Sequence, residues 1–86
     1  MTIGLDARFA QGKLTGVGKY IQALALGLAA RHFKVVLFYS QKPQSVLREK
    51  GIKTVILPGN KYLWEQIYLP QALKREKVTL YHAAGN

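Results

Sequence analysis

The feature that most constrains this chain is a short apolar run that passes through a glycine-bearing loop straight into an amphipathic segment. Ile3-Gly4-Leu5-Asp6-Ala7-Arg8 opens the chain, a loop follows from Phe9 to Leu14, and Thr15-Gly16-Val17-Gly18-Lys19-Tyr20 begins the next element. Strand, glycine loop and helix in that order form the first unit of a doubly wound α/β domain. In such domains ligands sit beyond the carboxyl ends of the strands, against helix N-termini. Gly16 and Gly18 fall there. Without a Cβ they allow close backbone approach. The free N–H groups of the first helical turn then favour a phosphate.

The remaining periodicities extend the same pattern. Thr2 to Ala7 is predicted as strand one, apolar on both faces as a covered parallel strand should be. Helix one is predicted from Gly16 to about Arg31, with Thr15 as N-cap and a buried stripe of Val17, Tyr20/Ile21, Leu24 and Leu28. Lys34 to Ser40 reads as strand two, because the run is short and rich in β-branched and aromatic residues. Pro43 to Lys50 is predicted as a short helix stopped by Gly51. Thr54 to Leu57 is strand three, ended by Pro58-Gly59. Lys61 to about Lys77 is helical, with Leu63, Ile67 and Leu73 on one side and a kink or split at Pro70. Val78 to His82 is strand four. Right-handed crossovers turn this order into a Rossmann-like, doubly wound parallel four-stranded sheet, 3-2-1-4. Gly16, Gly18 and His82 are then expected to converge on one crevice.

Composition narrows the chemistry. Eighty-six residues suffice for one small domain, and the 49% hydrophobic content argues for a packed fold. There is no cysteine, which excludes disulfides and thiolate metal sites. The two histidines, His32 and His82, are too few for a metal cluster by themselves. No apolar run reaches transmembrane length and no signal-peptide pattern opens the chain, so a cytoplasmic protein is expected. The net charge of +9 suits an anionic partner. Membrane or small-molecule anions rank above nucleic acid, because the basic residues are spread out and not interleaved with aromatics.

The glycine loop matches neither of two familiar phosphate motifs. A Walker A loop needs Gly where Lys13 stands and Ser/Thr where Tyr20 stands. A dinucleotide fingerprint needs a third glycine where Ile21 stands. The glycines can equally serve only to turn the chain. Asp6 is a candidate for orienting Arg8 or for fixing the loop through backbone N–H groups. Arg8 and Lys19 are candidate phosphate contacts or solvated charges. His82 is a candidate site residue or a structural one. Trp64, Tyr62 and Tyr68 read as core before they read as a sugar platform. Four acidic residues with no catalytic pair argue against a glycosidase.

Ile3 to Phe9 with Thr15 to Tyr20 strongly resembles the opening of family 4 (group 1) glycosyltransferases of the GT-B fold. Leu63-Trp64-Glu65-Gln66 with Leu69-Pro70 and Leu73, and then Leu80-Tyr81-His82-Ala83, resemble the family's next two segments. The resemblance implies a retaining transferase moving a sugar from a nucleotide-sugar to a sugar or lipid-linked acceptor, with no metal cofactor. It implies that residues 1–86 are part of the acceptor-side Rossmann-like domain, that the donor-binding domain lies elsewhere, and that this chain alone is inactive. Gly16, Val17, Gly18 and Lys19 would form the donor diphosphate loop. Asp6 and Arg8 would face the acceptor, and His82 is the candidate catalytic residue. Peripheral contact with the inner face of a membrane and self-association through strand four are expected alongside. Two rival readings are a stand-alone α/β module for a phosphorylated ligand and a basic, non-catalytic domain that associates with membrane or nucleic acid.

Overall fold

The computed structural model describes residues 1–13 and 16–83. Four parallel strands form one sheet in the order β3-β2-β1-β4, the order expected from the sequence. They are β1 (Thr2–Asp6), β2 (Lys34–Tyr39), β3 (Ile52–Ile56) and β4 (Leu80–His82). A 3-10 turn (Arg8–Ala10) follows β1, and α1 (Gly16–Ala30) leads back to β2. After β3, one helical arm contains α2 (Lys61–Leu63), a π turn (Trp64–Tyr68) and α3 (Leu69–Arg75). The two ends of the sheet therefore differ. Helix starts gather at the carboxyl ends of the strands and helix ends at the amino ends.

Each face of the sheet has its own core. Ile3, Leu5, Val35, Leu37 and Tyr39 pack with Ile21 and Ala25 of α1. Val36 and Phe38 pack on the other face with Trp64, Leu69 and Ala72. Alternation along β1 and β2 sends odd positions to α1 and even positions to the helical arm. Asp6 shares the arm's face. Gly4 is there too because space is short: a Cβ on it would lie 3.0 Å from Phe38 Cε2 and 3.1 Å from Val78 Cγ1.

The structure corrects several local expectations. Residues 43–50 do not form a helix. Nucleating so short a helix is unfavourable, and this segment is claimed by tertiary contacts. Pro43 is buried, the Gln44 N–H donates to the Gln11 carbonyl at 2.9 Å, and Leu47 packs on the α1-side core. Gly51 does adopt the left-handed conformation, at φ +92°, where it turns the chain into β3. Strand three runs from Ile52 to Ile56, and strand four is shorter than expected, starting at Leu80.

The buried stripe of α1 is Gly18, Ile21 and Ala25, with Leu24 and Leu28 beside it. Val17 and Tyr20 are exposed, not buried as predicted. Small residues on the sheet side bring the helix axis close, and Tyr20 is left 53% exposed. Thr15, the expected N-cap, lies outside the described residues.

Pro70 splits its helix in a specific way. Lacking an N–H, it cannot bond the carbonyl four residues back, and its ring would clash there. The chain widens into the π turn, with Leu69 N–H donating to the Trp64 carbonyl. Trp64 and Leu69 are thereby both buried, while Ile67, expected inside, is exposed. At the far end of the arm Lys53 bonds Glu76 at 2.7 Å, and with Arg75 holds that carboxyl below the usual range.

Gly4→Ala should lose about 1–3 kcal/mol through overpacking. Gly27→Ala, in mid-helix where a Cβ meets nothing within 4 Å, should gain up to about 1 kcal/mol. Urea denaturation of both variants checks the opposite signs.

Candidate functional site

The carboxyl end of β1 delivers three side chains into a fixed arrangement. Asp6, 1% exposed, accepts the Arg8 N–H at 3.1 Å, closing a local turn. Its two oxygens also take a fork from Arg8, Nε at 3.0 Å and an Nη at 2.7 Å. The same Nη donates to Glu65 at 3.1 Å. The guanidinium lies over the Trp64 ring with Cζ 3.9 Å from its centroid, a favourable cation–π geometry. Chiefly through the Asp6 hydrogen bond, and against partial burial, the Arg8 pKa is pushed above its ordinary value. Of the roles foreseen for Asp6, orienting Arg8 and bonding a loop N–H are both realised. Arg8 itself is occupied by two carboxylates and an indole.

Trp64 carries this cluster into the sheet. Its Nε1–H donates to the Tyr39 carbonyl at 3.0 Å, which also accepts the Leu57 N–H at 2.8 Å. Trp64 is a core residue, as its position on an amphipathic arm predicted. Tyr62 and Tyr68 remain exposed. Tyr81 packs edge-on against Phe38 at 6.4 Å between ring centroids, and burial, with Asp6 nearby, pushes its phenol pKa up.

Sequence reasoning missed Gln11. Its side chain accepts the Ser40 N–H at 2.9 Å and the Gln41 N–H at 3.3 Å, and donates to Ser40 Oγ at 2.8 Å. The loop after β1 is thus tied to the loop after β2, ahead of α1. A polar residue in a loop carries no periodic signal, so nothing in the sequence marked it.

The glycine loop lies where it was expected, at the carboxyl end of the sheet and at the start of α1. Gly16 and Val17 are exposed, Gly18 is buried in the first turn, and Lys19 is exposed. A Cβ on Gly16 would meet no atom of the described residues within 4 Å, and its φ lies outside the left-handed region. Neither packing against the described residues nor backbone conformation requires glycine at that position. Gly12 and Gly27 are equally open, but Gly27 lies mid-helix, away from the carboxyl end of the sheet.

His82 pairs in register with Leu5 and is exposed. It lines an apolar groove of about 230 Å³ with Leu5, Tyr20 and Leu80. This groove is on the α1 face of the sheet, one turn into the helix from Gly16. Asp6, Arg8 and Glu65 are on the opposite face. His82 and the start of α1 are therefore on one face of the sheet and the anchored arginine is on the other.

Among the described residues no group of His, Asp and Glu could hold a metal ion, and no helix is long and apolar enough to cross a membrane. Comparison with protein-family models, curated proteins and solved structures finds no match to this chain.

Arg8→Ala should strand the Asp6 carboxylate in the interior and destabilise the fold by about 3–5 kcal/mol. Glu65→Gln, at a partner 30% exposed, should cost no more than about 1 kcal/mol. Equilibrium denaturation at neutral pH separates the two, and an equal cost would refute the ranking.

Proposed function

We propose that this chain is the acceptor-side Rossmann-like part of a retaining GT-B glycosyltransferase, in which residues 16–19 meet the donor diphosphate. Gly16 carries the reading. It is a glycine at a helix start, beside the point where the sheet reverses direction, and packing among the described residues does not call for it. A bare backbone there is useful to something that approaches from outside. The first-turn N–H groups of a 15-residue helix with no acidic residue in that turn favour an anion.

The parallel 3-2-1-4 sheet supports the reading, since its order reverses between β1 and β4. The carboxyl ends of those two strands lie side by side, with Leu5 opposite His82. The motif resemblance extends through Leu63–Leu73 and Leu80–Ala83, so it spans all the elements that build the site. Lys19, exposed and without an acidic partner among the described residues, is positioned to add a point charge. Arg8 acts differently in this reading: it holds the floor of the cleft and leaves phosphate contact to the loop. The leaving diphosphate is the group whose growing charge most needs stabilising in such a transfer. His82 and Tyr20 supply a partly apolar wall on the same side.

Titration with uridine or guanosine diphosphate, followed by amide NMR, tests the assignment. Shifts should concentrate at Gly16, Val17, Gly18 and Lys19, with affinity in the millimolar range because one wall of the site is engaged. Gly16→Val should abolish the shifts and leave the remaining spectrum intact. Shifts confined to other residues, or full binding by the valine variant, would overturn the proposal. The same sample should transfer no sugar from any nucleotide-sugar.

A further inference from the structure

Helix α1 is apolar on the side turned away from the sheet as well as on the side packed against it. Gly18, Ile21 and Ala25 are buried on the sheet side. Tyr20, Ala23, Leu26, Gly27 and Ala30 are exposed on the other. Between Lys19 and Arg31 no residue carries a charge, and this is the longest charge-free stretch in a chain of net charge +9. A surface helix normally turns charged residues to solvent, and one that is apolar all round is a helix that is buried all round. The outer side of α1 is covered by nothing among the described residues.

The exposed residues have a spacing of their own. Tyr20, Ala23, Gly27 and Ala30 follow one another at intervals of three, four and three, the spacing of residues along a helix–helix seam. Gly27 is the telling member. In mid-helix a glycine costs about 1 kcal/mol against alanine, and a Cβ there would meet no atom of the described residues within 4 Å. The fold of one chain gains nothing from it, and the gain expected for Gly27→Ala is that of the single chain. Close approach of a second helix backbone is what the missing side chain permits. Beside it lies an open groove of about 360 Å³ bordered by Ala23, Leu24, Gly27 and Leu28. Leu24 and Leu28 also border the groove of about 230 Å³ that reaches Leu80 and His82. The apolar surface is therefore continuous from the outer side of α1 to β4.

Charge and symmetry select the occupant. An anionic partner is recognised by cations, and the seam from Tyr20 to Ala30 has none. Two copies of a chain at +9 repel one another over most of their surface, and along this seam neither presents a charge. The face also fits itself. Placed antiparallel about a two-fold axis at the level of Ala25, it sets Ala23 against Gly27 of the second copy and Tyr20 against Ala30 of the second copy. Small residues then meet at the centre, and a large one meets a small one at each end. Leu26 meets its own counterpart beside the axis. The outer edge of β4 is another place where two copies could pair, but that strand is three residues long. So short an edge is a poor template for pairing.

We propose that α1 is a homodimer contact, packing antiparallel on α1 of a second copy through Tyr20, Ala23, Leu26, Gly27 and Ala30. The seam is about 15 Å long, at the small end of specific interfaces, and association in the micromolar range follows. This inference is independent of the diphosphate assignment.

Sedimentation equilibrium of the native chain from about 1 to 200 μM should show a monomer–dimer equilibrium. Gly27→Glu puts a charged side chain at the centre of the seam and should weaken association by at least about a hundredfold. On the single chain it places a better helix former at an open position, so far-UV circular dichroism should show the native helix content. Gln71→Glu makes the same charge change at an exposed position of α3 on the other face of the sheet, and should alter association less than about threefold. The chain has no cysteine, so single replacements report the register without depending on the glutamate variant. Leu26→Cys should cross-link to itself under mild oxidation. Ala30→Cys should not, because antiparallel pairing holds the two copies of that residue about 15 Å apart along the helix axis. A monomer at every concentration would overturn the proposal. So would cross-linking at position 30 and not at position 26, or association that Gly27→Glu leaves intact, which would put the contact elsewhere, the β4 edge included.

Discussion

The carboxyl end of this sheet depends on the placement of one guanidinium. Arg8 joins the end of β1 to the helical arm through Asp6 and Glu65, and it lies on the indole whose N–H caps the last carbonyl of β2. Three elements far apart in sequence therefore meet on one planar group. Each contact needs the others. At 1% exposure the Asp6 oxygens are satisfied by the fork from Arg8 and a backbone N–H. Arg8 stays oriented because the ring beneath it is held by the Tyr39 carbonyl. Lysine would keep the charge and lose the fork and the stacking.

The sequence made the sheet order legible because its evidence is local and periodic. Apolar runs, turn residues and crossover handedness are enough for 3-2-1-4. The Asp6–Arg8 contact was half visible, since a single residue separates a carboxylate from a guanidinium at a strand end. The Glu65 contact spans 57 residues, and no pattern connects positions so distant. Two failures have tertiary causes. The segment 43–50 carries Pro at one end and Gly at the other, as a helix should. Gln11 and the α1-side core nevertheless hold it in another shape. The stripe on α1 was read from bulk, yet Gly18 and Ala25 face the sheet because a helix packs closest where it is slim.

The glycines can be sorted by what the fold asks of them. Gly4 makes room for Phe38 and Val78. Gly51 and Gly59 hold backbone conformations that side chains rarely adopt, at φ +92° and +127°. Among the described residues Gly16 meets neither requirement. Reading every glycine in the opening motif as a ligand contact would have been too generous, since Gly4 is fully explained by packing. The functional argument is strongest where packing explains least.

A parallel sheet with helices on both faces is polar from end to end, and the charges of this chain follow that polarity. At the carboxyl end the acids Asp6 and Glu65 are both spent on Arg8, so Lys13, Lys19 and Lys61 face solvent beside helix starts whose dipoles add positive potential. At the amino end the helix termini are negative, yet the chain places seven cations there, and Glu76 serves two of them. Dipoles alone would call for basic residues in last turns and leave the strand starts neutral. Lys34 and Lys53 stand at strand starts, beside a groove with Val36 at its floor. The folded chain gains little from them there. Their mutual repulsion is a standing cost to the compact state, relieved at Lys53 by its pairing with Glu76 at 2.7 Å.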